Sequence, residues 1–259
     1  MSQKPTLVFV PGAWHPAEIW DKVISELTPQ GYKCIAITLP STKGDASIGF
    51  KEDLDAVRDA IRAETSQGRN VIVVAHSYGS MPGVSAAKGF TAKSHDGSSP
   101  SEEAVGHVIG FALMATGFGI TGMSMLDGTN GQPPPQWVIE DGFAKLVVDP
   151  VDMLYHDLSE EEGKAWVSKL TKQSALPIAK GGEYVFSSWK DVPSWYLLTA
   201  QDHALPAEMQ RFIVTATEQV GGDVTTREIQ SSHSPMLSQP GETATFIKEA
   251  AEDLASRGA

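Results

Sequence analysis

One serine in this chain stands where a hydroxyl could be made nucleophilic. Residues 71–80 read VIVVAHSYGS, a valine-rich apolar run that stops at His76, Ser77, Tyr78 and Gly79. A serine hydroxyl attacks poorly at neutral pH, so it needs a base to take its proton and positive dipoles to hold the resulting oxyanion. A sharp strand-to-helix turn, the nucleophile elbow with the pattern Gly-x-Ser-x-Gly, offers both by exposing the serine at the carboxyl end of a strand. Here the pattern reads Ala75-His76-Ser77-Tyr78-Gly79, with alanine as the small residue in first place. Pro82 is tolerated in the first turn of the helix that would follow. The competing reading is an ordinary turn in which Ser77 only caps a helix.

The elbow sets a test, because its partners should follow in the order serine, acid, histidine at later strand ends. Asp202 lies in LLTAQDHALPAEMQ, just past the fifth apolar run, and His233 lies in EIQSSHSPMLSQP, just past the sixth. The carboxyl ends of strands are where α/β sheets place their sites. No acid occurs in MATGFGI (114–120) after the preceding run, and Asp223 precedes a strand, so Asp202 is favoured as the orienting acid. His203 adjoins Asp202 too closely to be the base it orients. His76, His95, His107 and His156 read as structural or surface residues, and His15 is more open. Gly12 follows the first strand and lets the backbone approach a bound group, which makes the Ala13 N–H and the Tyr78 N–H the expected oxyanion hole. The alternative is that Gly12 merely makes the turn. Cys34, the one cysteine, sits in the β-rich run YKCIAITL and is not expected to act as a catalytic thiol. There is no metal-ligand spacing such as His-x-x-x-His, and the expected chemistry needs neither metal nor organic cofactor.

The elements that must hold these residues are strands alternating with helices. Apolar, β-branched runs occur at 6–10, 32–39, 70–75, 107–113, 194–200 and 224–229. Most are continuously apolar, as in strands covered on both faces of a parallel sheet. Amphipathic stretches at 19–31 and 52–64 read as helices between them, so the class is α/β, with about six mostly parallel strands. The alternation breaks between residues 118 and 191. There GTNGQPPPQW reads as a linker, and VDMLYHDLSEEEGKAWVSKLTKQ has helical periodicity, with Ser159 as cap and Glu162 three residues later. The expected organisation is a core of residues 1–117 and 192–259 with a helical cap inserted at 118–191. A second insert, KSHDGSSPSEEA (93–104), reads as a mobile surface loop.

Bulk composition narrows the partners. The 259 residues carry a formal net charge of -12, which repels phosphate backbones and anionic lipid surfaces and disfavours nucleic acid and membrane partners. No run approaches the 18 apolar residues of a membrane span. MSQKPTLVFV reads as a first strand rather than a signal peptide, and a lone cysteine fits a reducing compartment, so a cytoplasmic protein is expected. A monomer and a homodimer fit equally well.

These residues resemble the α/β-hydrolase superfamily, in particular the branch of small esterases that includes plant methyl-ester esterases and hydroxynitrile lyases. The branch pattern Val-His-Gly-Ala-Trp-His-Gly-Ala-Trp-x-Trp is close to VPGAWHPAEIW (10–20). TAQDHALPAEMQRF (199–212) is similar to the branch's acid segment, SSHSPMLSQP (231–240) to its histidine segment, and YHDLSEEE (155–162) to part of its cap. Pro11 replaces the usual histidine before Gly12, and Ala75 replaces the first elbow glycine. The lyase branch carries a threonine at the position of Gly12 and a lysine after its histidine, where this chain has Ser234; the resemblance therefore implies a hydrolase over a lyase.

The expected function is a serine hydrolase cleaving a carboxylic ester or lactone of a small to medium apolar molecule through an acyl-enzyme. Its catalytic residues would be Ser77, Asp202 and His233. Gly12, Trp14, His15, Trp137 and Tyr155 are candidate substrate contacts. Trp137, Phe143, Met153, Tyr155, Trp166 and Phe186 could line an apolar pocket or form the cap's own core. The alternatives are a ligand receptor with slow or vestigial hydrolysis and a cofactor-free, hydroxynitrile-lyase-like enzyme on the same fold.

Overall fold

The computed structural model describes residues 3–97, 99 and 105–257. In chain order the core begins with β1 (Thr6–Val10), α1 (Asp21–Leu27), β2 (Cys34–Ala36), α2 (Phe50–Thr65), β3 (Val71–His76), α3 (Ser80–Ser85) and β4 (Val108–Met114). The insertion then supplies β5 (Trp137–Glu140), β6 (Phe143–Leu146), α4 (Pro150–Tyr155), α5 (Glu160–Lys169), β7 (Gln173–Ser174) and α6 (Leu176–Ala179). The core resumes with β8 (Ser194–Thr199), α7 (Ala207–Gln219), β9 (Val224–Ile229), α8 (Pro235–Ser238) and α9 (Pro240–Arg257).

Six strands form one sheet in the order β2-β1-β3-β4-β8-β9, and every neighbouring pair is parallel. The continuous apolar runs are explained by burial on both faces, because successive side chains alternate across the sheet. Val8, Val10, Val71, Val73 and Ala75 pack in one core with Leu54, Val57 and Ile61 of α2. Leu7, Phe9, Ile72 and Val74 pack in the other with Val23 and Leu27 of α1 and Ile247, Ala251 and Leu254 of α9. The expected six-stranded parallel α/β core is present, and because its strands are parallel the loops after β1, β3, β8 and β9 all leave the same, carboxyl edge of the sheet. Among the described residues no helix is long and apolar enough to cross a membrane.

The insertion departs from the helical expectation. It contains a three-stranded antiparallel sheet, β5-β6-β7, beside helices α4 and α5. The hairpin of β5 and β6 turns on two residues, Asp141 (φ 51°) and Gly142 (φ 79°), between the paired Glu140 and Phe143. Both central residues are left-handed, which is the backbone of a type I′ turn, and Asp-Gly is its preferred sequence. Ser159 does cap α5, accepting the Glu162 N–H at 3.2 Å, whereas the Glu162 carboxylate pairs with Lys22. The insert expected at 93–104 lies partly outside the described residues, at 98 and 100–104. In its described part His95 bonds the Asp191 carboxylate through Nδ1 and stacks on Phe186.

Candidate active site

The turn after β3 is strained as an elbow requires. Ser77 has φ 50°, a left-handed conformation that costs a non-glycine residue energy and persists only where its surroundings impose it. Thr116, after β4, imposes part of it by donating its hydroxyl to the Ser77 carbonyl at 2.7 Å. Gly79 permits the rest: a Cβ there would lie 2.3 Å from the Pro11 carbonyl oxygen and 2.8 Å from that of Val10. The end of β1 is thus pressed against the elbow. A Cβ on Gly12 would fall 2.8 Å from His76 Nδ1 and 3.1 Å from Ser77 Cβ, so the loop carrying Ala13 passes directly over the serine.

The loops after β8 and β9 bring Asp202 and His233 together. The Asp202 carboxylate accepts the His233 Nδ1–H at 2.8 Å through Oδ2. The same oxygen takes the Thr199 hydroxyl at 2.8 Å and the Gln210 amide at 3.2 Å, while Oδ1 takes the Ala204 and Leu205 backbone N–H groups at 2.8 Å each. Burial pushes this carboxyl upward, but the charge and hydrogen bond of His233, with the other donors, outweigh it and hold Asp202 below the usual carboxylate range. The acid is held as an anion against the ring of His233, which itself lines the same cavity as Ser77.

Two further histidines surround the site and are kept neutral. His76 donates Nε2–H to the His233 backbone carbonyl at 2.8 Å, tying the elbow to the histidine loop. Burial first, then the nearness of the His233 and His15 rings, pushes its ring well below the ordinary histidine value. His15 donates Nδ1–H to the Ala13 carbonyl at 2.7 Å, so its Nε2 accepts the Tyr155 hydroxyl at 2.5 Å. Burial lowers His15 from 6.5 to about 4, with the Ala13 carbonyl opposing and the His233 charge assisting.

A cavity of about 370 Å³ opens at this point between the sheet edge and the insertion. Ser77, His233, Ala13 and Tyr78 share its wall with Trp14 and Trp137. Met81, Phe118, Met153 and Ile178 add apolar wall, and no Asp, Glu, Lys or Arg lines the cavity among the described residues. Of the candidate substrate contacts, Trp14 and Trp137 therefore face the cavity, but Gly12, His15 and Tyr155 do not line it. His15 and Tyr155 are buried and bonded to each other behind the wall. Met153 also lines the cavity, whereas Trp166 and Phe186 are buried elsewhere and Phe143 lines a separate groove. Cys34 sits on β2, half-buried and away from this cavity, and burial raises its thiol.

Sequence reasoning missed the supports of the loop that crosses the serine. Trp14 is left-handed (φ 64°), and the insertion holds each of its polar atoms. Its indole N–H donates to the Ala144 carbonyl at 2.8 Å, and its carbonyl accepts the Thr171 N–H at 2.8 Å and hydroxyl at 2.9 Å. Its N–H points to the Gln173 side-chain oxygen at 3.4 Å. Asp53, fully buried on α2, was overlooked as well. Its place on the face formed by Phe50, Leu54, Val57 and Ile61 was the readable signal, since a carboxylate on an apolar stripe needs dedicated partners.

The chain matches the model of the alpha/beta hydrolase family over residues 7–246. It is 28% identical over 250 residues to an alpha/beta hydrolase, nvfD, of Aspergillus novofumigatus, covering 96% of this chain and 97% of that protein. Its fold superposes on polyneuridine aldehyde esterase with a TM-score of 0.74 at 20% identity, covering 96% of this chain and all of that one. Tomato methylketone synthase I, solved with 2-tridecanone, gives a TM-score of 0.74 at 18% identity, covering 97% and 99% of the two chains. At these identities the two structures speak for the fold.

Proposed function

This chain belongs to the alpha/beta hydrolase family, and we propose that within it the protein is a serine hydrolase of carboxylic esters or lactones whose acyl or alcohol part is apolar and uncharged. The observation that carries this reading is the Asp202–His233 pair opening on the same uncharged cavity as the strained Ser77. Ser77 Oγ attacks the ester carbonyl while His233 Nε2 takes its proton, and the carbonyl electron pair moves onto oxygen. Asp202 holds the imidazole with Nδ1 protonated and stabilises the imidazolium that forms. The Ala13 and Tyr78 N–H groups receive the oxyanion. Collapse expels the alcohol, which takes the proton back from His233, and water repeats the sequence to release the acid.

The cavity lining supports the substrate class. A carboxylate or ammonium on the substrate would lose its hydration there without meeting a partner charge, at a cost of several kcal/mol. A screen of p-nitrophenyl esters and lactones tests this, with neutral chains set against matched chains ending in a carboxylate and with Ser77→Ala as control. Neutral substrates should be turned over at least about 100-fold faster by kcat/KM, which corresponds to roughly 2.7 kcal/mol. Equal rates would refute the substrate class, and turnover unaffected by Ser77→Ala would refute the mechanism and favour the lyase-like alternative. A protein that binds such esters at Ser77 without turning them over would instead be the receptor-like alternative.

A further inference from the structure

One chain of buried hydrogen bonds runs from the elbow to the loop that crosses it. The Tyr78 hydroxyl donates to Asp53 Oδ2 at 2.7 Å. The Ser41 hydroxyl donates to the same oxygen at 2.6 Å, and the Ser41 N–H donates to Oδ1 at 2.9 Å. Ser41 Oγ in turn accepts the Gln173 side-chain amide at 2.9 Å. The other end of that amide is the oxygen facing the Trp14 N–H. Asp53, Ser41 and Gln173 are fully buried and Tyr78 nearly so, which leaves water little access to compete for these bonds. Every donor in the chain has an acceptor, and each acceptor is fixed by at least one further bond; Gln173 also donates to the Ser174 carbonyl.

The two ends of this chain are the two segments expected to bind the oxyanion. Tyr78 carries one donor on its own backbone, and the Trp14 N–H held by Gln173 lies one residue after the Ala13 N–H, the other donor. The hydroxyl of Tyr78 points away from the cavity wall to Asp53, so the side chain serves to orient the residue whose amide faces the substrate. Burial raises the Asp53 carboxyl, whereas the Ser41 and Tyr78 bonds act in the opposite sense. Gln173 belongs to β7 of the insertion, so one strand of the cap is tied into the geometry of the catalytic turn.

We propose that Asp53 and Gln173 are positioning residues that set the separation of the Ala13 and Tyr78 amides, through Tyr78 on one side and Ser41 and Trp14 on the other. This rests on the serine-hydrolase reading above. Neither residue touches the substrate. A donor displaced by a fraction of an ångström loses value for the oxyanion while ground-state binding in the apolar cavity is retained, so the cost falls on kcat rather than KM.

The test compares Tyr78→Phe, Asp53→Asn, Gln173→Leu and the double variant Tyr78→Phe/Gln173→Leu on p-nitrophenyl butyrate. It also measures inhibition by a trifluoromethyl ketone with a butyl chain, to which Ser77 Oγ adds with its proton passing to His233 and the carbonyl oxygen becoming the oxyanion. Each single variant should lose about 10- to 100-fold in kcat with KM within about threefold, and should weaken trifluoromethyl ketone inhibition in parallel. The double variant should lose less than the product of the two single losses, because both cut the same chain. Tyr78→Phe keeps the shape of its site, so it answers the question even where Asp53→Asn fails to fold. Folded variants with wild-type kcat and wild-type inhibition, or with losses confined to KM, would overturn the positioning role and leave the hydrolase reading intact. A wild-type protein that neither hydrolyses the ester nor binds the ketone would overturn both.

Discussion

Replacing Asp202 by asparagine preserves shape and reverses one hydrogen-bonding end. In the native protein all five groups around the carboxylate are donors: the Ala204 and Leu205 amides on Oδ1, and the Thr199 hydroxyl, the Gln210 amide and His233 Nδ1–H on Oδ2. Asparagine offers one acceptor and one NH2 group. If its oxygen keeps the two backbone amides, its NH2 meets three donors. The Thr199 hydroxyl can rotate, but His233 can keep its bond only by presenting an unprotonated Nδ1. That moves the ring proton to Nε2, the nitrogen that must accept the Ser77 proton. The expected loss in kcat/KM on p-nitrophenyl butyrate is about 10³- to 10⁴-fold, or roughly 4 to 5.5 kcal/mol of transition-state stabilisation. The mismatched buried donors should also lower folding stability by about 1–3 kcal/mol, read from urea unfolding. A folded Asp202→Asn protein, checked by circular dichroism, that lost less than about tenfold in kcat/KM would refute the orienting role, since a tautomer switch cannot cost so little.

Gly79→Ala should destabilise the protein by more than about 3 kcal/mol, because the new Cβ meets the Pro11 backbone rather than a side chain that could move; an unchanged melting temperature would contradict the packing described. Ile178→Trp should fill part of the cavity and lower kcat/KM for decanoyl esters at least about tenfold more than for butyryl esters, as pocket volume sets chain discrimination; equal losses would place the acyl chain elsewhere. His15 titrates near 6.5 when unfolded and near 4 when folded, so between those values the unfolded chain binds more protons. Its contribution to stability is complete above pH 6.5 and is lost as pH falls toward 4, by about 3 kcal/mol, with His76 acting in the same sense. Urea unfolding at pH 7 and pH 4 should therefore show a smaller acid destabilisation in His15→Gln than in the native chain, and identical pH dependence would contradict the buried neutral imidazole.

The parts of this molecule that were legible in the sequence are those fixed by short-range pattern. β1 coincides with the apolar run at 6–10, because a strand buried along its whole length is apolar at consecutive positions; β9 coincides with the run at 224–229 through its β-branched residues alone, since it is an edge strand in which only Ile229 is buried. Ser77, Asp202 and His233 could be nominated because each follows such a run. The hairpin of β5 and β6 is hidden in the sequence because helical periodicity from residue 151 onward dominates the segment, while Val138, Ile139 and Glu140 are all exposed and leave no buried-exposed alternation to read. Its signature was the Asp141-Gly142 pair. The Asp53 chain was hidden for another reason, since Ser41 and Gln173 are separated by 132 positions and meet only when the insertion folds back over the core. His15 and Tyr155, 140 positions apart, were nominated as substrate contacts by residue type alone, and the fold turns them toward each other instead.

The account depends most on Ser77 acting as a nucleophile with His233 as its base. Incubating the native protein with a fluorophosphonate and mapping the adduct by peptide mass spectrometry measures this directly. The expected result is one rapid adduct on Ser77, none in Ser77→Ala, and labelling slowed by orders of magnitude in folded His233→Ala. Labelling that persists in Ser77→Ala, or that proceeds at the native rate without His233, would contradict it.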